Sequence, residues 1–182
     1  NGIMLAGDYS IDIEDGSVDN VQTGINLGTG DQSAINVTGV TLTNITDAGG
    51  GTPVGVDATG DLAAGAQVTI SDLTIDSSPN ADPGINVNSN NNDVTITGSS
   101  INDTSAGIVI SEVSDTAIIS DTSVDNSAGT AIDVDDPANT DTVSVFINNS
   151  VTIDQASIGV DVGLDSDRES SVDVDTATIN GT

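Results

Sequence analysis

The 182-residue chain contains no cysteine, histidine, lysine or tryptophan. Tyr9, Phe146, Met4 and Arg168 are each the sole residue of their type. Without cysteine there is no disulfide and no thiolate site for a soft metal. Without histidine, lysine or cysteine there is no base for a nucleophilic triad, so no catalytic residue is assigned and the chain is not expected to be an enzyme. With two aromatic residues it cannot build the stacked platforms of a deep sugar cleft, and its core must be aliphatic. One basic residue against 29 acidic ones leaves a net charge of −28. That balance excludes a nucleic-acid reader, which needs Lys and Arg to neutralise phosphates. It also excludes electrostatic attachment to an anionic bilayer. No run of 18 apolar residues is present, so no membrane-inserted helix is expected.

What remains is rich in Asp, Asn, Ser, Thr, Gly, Val and Ile. Straight-chain helix formers are scarce, and Glu14, Glu112 and Glu169 are the only glutamates. This favours strands and turns over helices. With 35% hydrophobic residues the chain can still bury a core.

The apolar residues follow a rhythm. The spacing apolar–x–apolar–four residues–apolar recurs as Ile11, Ile13, Val18, then Ile35, Val37, Leu42, then Val68, Ile70, Ile75. It continues as Val94, Ile96, Ile101, then Ala117, Ile119, Val124, then Val145, Ile147, Ile153 with one residue inserted, and finally Val172, Val174, Ile179. After each of the first six comes a small residue and a second apolar–x–apolar step, with Ile25, Val56, Ile85, Ile108, Ile132 and Val160 as its first apolar member. Alternation marks short strands that send every second side chain to one face. No two-residue Asn-Gly or Asp-Gly turn joins the two strands of a repeat, so the partner of each strand is its counterpart one repeat later. The fold class expected is all-β: a right-handed parallel β-helix of about seven coils, forming one domain over residues 1–182. The residue after the third apolar position (Asp19, Thr43, Asp76, Asn102, Asp125, Asp154 and Asn180) is expected to take the left-handed conformation of a sharp corner. The segment "TDAGGGTPVGVDATGDLAAGA" and the stretch from Asp76 to Gly84 are expected as loops available for contacts.

The pattern resembles the parallel β-helix repeat of the pectate-lyase-like superfamily, which also occurs in bacterial and archaeal cell-surface proteins. The resemblance covers the whole chain and implies the fold. It does not imply the family's chemistry. Lyases of this kind use basic residues with Ca²⁺, and Arg168 stands alone among acids. The polygalacturonase fragments Asn139-Thr140-Asp141 and Asp135-Asp136 occur in reversed order, and the histidine motif is missing.

Four further expectations follow from the residues. Asp133, Asp135, Asp136, Asp161, Asp165 and Asp167 fall within two coils, where stacked carboxylates suit a hard cation such as Ca²⁺. Asn36, Asn44, Asn102, Asn148 and Asn180 head Asn-x-Ser/Thr sequons and permit glycosylation. The stretches around Ile3 and Leu5 and around Val172, Val174 and Ile179 read as half-coils, which would leave aliphatic cross-sections for assembly. The partner would be a head-to-tail copy of the chain or the rest of a longer β-helix. The functional expectation is a non-catalytic, extracellular or cell-surface structural protein, either a filament subunit or a stalk segment, with adhesive capacity. The alternative is a module that binds or cleaves surface glycans. An ice-binding array would need the same Thr-x-Thr in every coil, and Thr95/Thr97 and Thr41/Thr43 do not recur.

Overall fold

A computed structural model of the chain describes residues 2–7, 10–27, 32–47, 51–59, 62–76, 81–88, 93–112, 116–135, 143–164 and 170–181. Their regular structure is all strand: β1 (Ile3–Leu5), β2 (Ile11–Val21), β3 (Thr23–Leu27), β4 (Gln32–Ile45), β5 (Val54–Ala58), β6 (Leu62–Ser71) and β7 (Thr74–Asp76). These are followed by β8 (Ile85–Asn88), β9 (Asp93–Thr97), β10 (Ser100–Asn102), β11 (Ile108–Ser111), β12 (Thr116–Ser120) and β13 (Ser123–Asp125). The last six are β14 (Thr130–Asp135), β15 (Ser144–Asn148), β16 (Thr152–Asp154), β17 (Ile158–Gly163), β18 (Ser171–Val174) and β19 (Thr178–Asn180). No helix among the described residues is long and apolar enough to cross a membrane.

The chain is a parallel solenoid with three faces. The first face is a sheet of seven strands ordered β1-β3-β5-β8-β11-β14-β17, whose five interior strands have a neighbour on both sides. The second and third faces form one branched sheet. β2 and β4 run unbroken through the corner between them, and β4 pairs with β6 on one face and with β7 on the other. From there β9, β12, β15 and β18 continue the second face, and β10, β13, β16 and β19 the third.

The register is the one the apolar spacing demands. Ile11 pairs with Ile35 and Val18 with Leu42. Ile70 pairs with Ile96, and Ile96 with Ile119. Ile101 lies between Ile75 and Val124. A one-residue slip would turn each of these side chains to solvent, so core burial holds the register. Ile35, Ile70, Ile96, Ile101, Ile119 and Ile147 are fully buried in one continuous aliphatic core.

The small residue before each first-face strand has a steric cause. A Cβ built on Gly55 would come within 2.7 Å of Ile75 Cδ1 and would strike the carbonyl oxygen of Gly84 in the next coil. Gly24, Gly84 and Gly107 are confined in the same way, by the third-face core residue and the backbone of the following coil.

Two expectations are corrected. First, the left-handed residues sit one place later than expected. Asn20, Asn44, Asp103, Asn126 and Gln155 have φ between 52 and 56°, whereas Asp19, Thr43, Asn102, Asp125 and Asp154 keep their places in the ladder. The turning residue must follow the last ladder residue, because that residue still pairs with its neighbours above and below. A second left-handed column lies between the second and third faces, at Asp15, Gly39, Asp72, Gly98, Asp121, Asn149 and Thr176. From Asp15 to Asp121 this column alternates Asp and Gly, and a Cβ on Gly39 or Gly98 would fall 2.6 Å from the Oδ1 of Asp15 or Asp72 in the coil before. Second, the Ala/Gly-rich excursion is partly strand. β6 starts at Leu62, and the Gln32–Leu62 and Ala34–Gln67 pairs bracket a bulge on its side of the ladder. Gly65 takes φ +80° within it, a conformation open to glycine.

Candidate functional site

The outward positions of the coils form side-chain ladders, because each ladder residue lies directly beside its counterpart in the next coil. At several ladder steps, and at the turns beside them, a carboxamide or hydroxyl meets a carboxylate. Asn36 Nδ2 donates to Asp12 Oδ1 at 2.6 Å, Asn26 Nδ2 to Asp57 Oδ2 at 3.0 Å, and Asn102 Nδ2 to Asp76 Oδ1 at 3.1 Å. Asn126 Nδ2 donates to Asp103. Asp19 Oδ1 accepts from both Thr43 and Asn44, at 2.8 and 2.7 Å. These two bonds, the Asn44 one foremost, hold the exposed Asp19 carboxyl below the usual carboxylate range against a small opposing desolvation.

Like charges meet instead between the coil of β13 and β14 and the coil of β16 and β17. There Asp125 lies beside Asp154, and Asp133 beside Asp161. Desolvation raises the Asp125 carboxyl above the usual range, with Asp154 adding to it. Asp133 is raised likewise, by desolvation first and then by Asp161 and Asp135. No carboxamide is interposed at either place, so two carboxylates face each other across one ladder step of about 4.8 Å.

This seam contains half of the expected cation ligands. Asp133 and Asp161 are ladder partners, and Asp135 lies opposite Gly163, where its Oδ1 stands 3.0 Å from the position of a Cβ. Asp136, Asp165 and Asp167 lie outside the described residues, as do Arg168 and the Asn139-Thr140-Asp141 fragment. Among the described residues no three acidic side chains come close enough together to hold a metal ion.

The titration of the seam has a definite sign. A carboxyl raised by folding favours the protonated native state, so Asp125 and Asp133 cost stability at neutral pH and cease to do so as pH falls through their folded values. Asp19 works in the opposite sense: its contribution is full above the unfolded value and is lost as pH falls through the lowered one. The thermal midpoint is therefore expected to rise as pH is lowered from 7 toward the upper edge of the carboxylate range, and to drop only in stronger acid. Added salt or Ca²⁺ at pH 7 should act in the same direction as acid. Asp125→Asn with Asp133→Asn should raise the midpoint at pH 7 and flatten both responses. Melting curves insensitive to pH, chelator and salt would mean that the seam carries no repulsion.

The sequon amides are distributed unevenly. Those of Asn36, Asn44 and Asn102 are tied to carboxylates. Asn148 buries its Oδ1 without a hydrogen-bond partner, and Asn180 is exposed on β19. The residues assigned to assembly occupy the two terminal coils. Ile3 and Leu5 are half-buried against the core, whereas Val172, Val174 and Ile179 are 47, 49 and 51% exposed. Ile158 at 48% and Met4 at 61% join them, although the core spacing of the repeat does not single them out.

Three further features emerge only with the fold. One hydroxyl column runs the length of the third face: Ser17, Thr41, Thr74, Ser100, Ser123, Thr152 and Thr178. Its signal in the sequence is a Ser or Thr immediately before every third apolar residue. On the second face Ile118 and Phe146 stack outward as ladder partners. Finally, the corner positions inside the core change character along the solenoid. Val40 and Leu73 give way to buried Ser99 and Thr122, which donate to the carbonyls of Thr97 and Ser120 and so satisfy themselves within their own turns. At the opposite corner Thr104 is buried with no partner for its hydroxyl, and it helps line a polar cleft of about 290 Å³ with Asp103, Asn126 and Gln155.

No family model, curated protein or solved structure matches the chain.

Proposed function

We propose that this protein is a non-catalytic structural element: a filament subunit or stalk segment at an extracellular or cell surface, built to be extended coil upon coil. The observation that carries this reading is the contrast along the core columns. Ile35, Ile70 and Ile101 are wholly buried between neighbouring coils, while Val172, Val174 and Ile179, in the same columns, are about half exposed. Each such side chain contributes about 1.5–3 kcal/mol when fully covered, and each restored ladder hydrogen bond about 1 kcal/mol. The covering element is a further coil, supplied by a second copy of the chain or by continuation of the same β-helix. The resemblance to surface-protein β-helices and the sequons agree with that setting. A cation such as Ca²⁺ bridging Asp133 and Asp161 would relieve the like-charge seam.

Electron microscopy of the purified 182-residue chain at high salt is expected to show rods that lengthen with protein concentration. Ile3→Asp, which places a carboxylate in the terminal core column, should leave short, folded particles. Particles of single-chain length at every concentration would refute self-stacking. A second reading, a glycan-binding module, draws support from the outward Ile118–Phe146 pair, an apolar step bordered by Thr95 and Asp173. Single-chain particles that bind surface glycans through Phe146 would move the assignment to it.

A further inference from the structure

We propose that the polar cleft at the corner between the third and first faces binds one neutral, hydroxyl-rich ring, a single uncharged pyranose unit of a glycan, with the Thr104 hydroxyl at its floor. The site goes beyond the structural reading above, which stands whether or not the cleft is occupied, and it lies on a different part of the coil from Phe146.

The inner position of this corner changes character along the chain. The residue after the left-handed turn is Val21 and then Ile45 in the first two coils, and Ile45 is fully buried. After the left-handed Asp103 and Asn126, the same place holds Thr104 and Ser127, which are 2 and 1% exposed. Ser127 donates to the carbonyls of Ser105 and Thr130. The Thr104 hydroxyl has no partner. Its methyl group is turned to the coil before, 3.3 Å from the Cβ position of Gly84, which leaves the hydroxyl as the group it presents to the cleft. A buried hydroxyl without a partner is unfavourable, and a valine would fill the place without that cost. A hydroxyl kept there fits a partner that enters the cleft.

The rest of the lining gives the chemistry of that partner. Asp103 Oδ1 accepts from the Asn126 amide, which leaves Oδ2 and the Asn126 amide oxygen as acceptors. The exposed Gln155 amide adds both a donor and an acceptor. Mixed donors and acceptors suit sugar hydroxyls, each of which gives and takes a hydrogen bond. The methyl groups of Ala128 and Ala156 supply apolar area for the C–H side of a ring. About 290 Å³ falls just under the range of roughly 300–1,000 Å³ for drug-sized ligands, so the space takes one ring and not a chain. Charge narrows the class further. Asp103 is the one carboxylate of the lining, which suits Ca²⁺ less well than a cage of several. The net charge of −28 repels uronates and other acidic sugars. The cleft spans the turns after β10, β13 and β16, and past it Gln155 N donates to the Asn180 carbonyl, so β19 continues the ladder beyond its last member. Residues 77–80, in the coil before Asp103, lie outside the described residues.

Amide shifts of the ¹⁵N-labelled full chain, followed by NMR, test the site. The probes are the methyl pyranosides of glucose, mannose, galactose and N-acetylglucosamine, each added to about 50 mM, with galacturonate and CaCl₂ run alongside. At least one neutral glycoside is expected to shift the amides of residues 103–104, 126–128 and 155–157, with a dissociation constant on the order of 1–10 mM. Galacturonate should leave them unmoved. Thr104→Val should weaken binding about tenfold without lowering the thermal midpoint, because the free protein loses no hydrogen bond. Gln155→Gly, at an exposed position of positive φ that glycine adopts freely, should weaken binding as well and keeps the test sound if valine disturbs the corner. No shift at these amides with any of the four glycosides would overturn the proposal. So would shifts with CaCl₂ alone, which would make the cleft a cation site, or binding unchanged by either substitution. Glycoside shifts centred on Phe146 would overturn it in favour of the second-face reading. A lowered midpoint in Thr104→Val with no glycoside bound to the unmutated chain would show that the hydroxyl serves a buried water alone.

Discussion

Ile96→Ala is expected to destabilise the protein by about 2–5 kcal/mol, while Ile118→Ala costs less than about 1 kcal/mol. The two isoleucines lie on neighbouring strands of the second face, but they point in opposite directions. Ile96 is fully buried, held between Ile70 below and Ile119 above. Removing three of its carbon atoms opens a void in the middle of a continuous column. Strands on both sides limit how far that void can collapse, because each is hydrogen-bonded at a fixed spacing to the next. Ile118 faces outward between Thr95 and Phe146, and water fills the space it leaves. In a solenoid each coil touches only its neighbours, so a defect at Ile96 should also uncouple the two halves of the protein. Urea unfolding monitored by circular dichroism would then show a lower midpoint with a shallower slope. Equal losses for the two variants would mean that the inward and outward assignments of this ladder are wrong.

Gly107→Val should cost about 3 kcal/mol or prevent folding, against a change within about 0.5 kcal/mol for Gly16→Ala. A Cβ on Gly107 strikes the carbonyl oxygen of Ala131 and comes within 2.5 Å of Val124 Cγ1. Neither can yield easily, since one is ladder backbone and the other is a buried core residue. Ala131 occupies the corresponding position one coil later, so a single methyl can be accommodated where the turn is longer by one residue. A branched side chain cannot. Gly16 has no atom within 4 Å of its Cβ position, which makes it the control for the general effect of replacing glycine. If Gly107→Val melted with Gly16→Ala, the close approach of consecutive coils at this corner would not exist.

Strand, partner and register are legible in the sequence because all three depend on a property of single residues, apolar or not, repeated at fixed spacing. Ile11, Ile35, Val68, Val94, Ala117, Val145 and Val172 align on spacing alone, and the fold pairs them in that order. The small residue ahead of each first-face strand is equally visible, although its cause, the carbonyl of the following coil, belongs to the packing. The left-handed residue lies one place beyond the position that polarity suggests. Asp and Asn occur at both positions, and composition cannot say which of two adjacent polar residues still pairs in the ladder. Ser99, Thr104, Thr122 and Ser127 are polar, and polarity alone would turn them to solvent. The winding closes the corners over them, and local bonds to backbone carbonyls let Ser99 and Thr122 remain inside.

The charge pattern divides in the same way. The order of residues is enough to establish that the chain is acidic, has one basic side chain against 29 acidic ones, and repeats. One-dimensional spacing then dictates a parallel solenoid, because alternate apolar residues with no hairpin turn have no other partners. Which acids meet an amide and which meet another acid depends on the winding. Asp12 and Asp57 have carboxamide neighbours, whereas Asp125 and Asp133 face Asp154 and Asp161. Residues 24 to 31 apart become neighbours through coil length, which varies with turns and bulges such as the one before Val68. The energy of a carboxylate depends on what lies about 4.8 Å away across the ladder, and that neighbour is chosen by the path of the coil rather than by position along the chain.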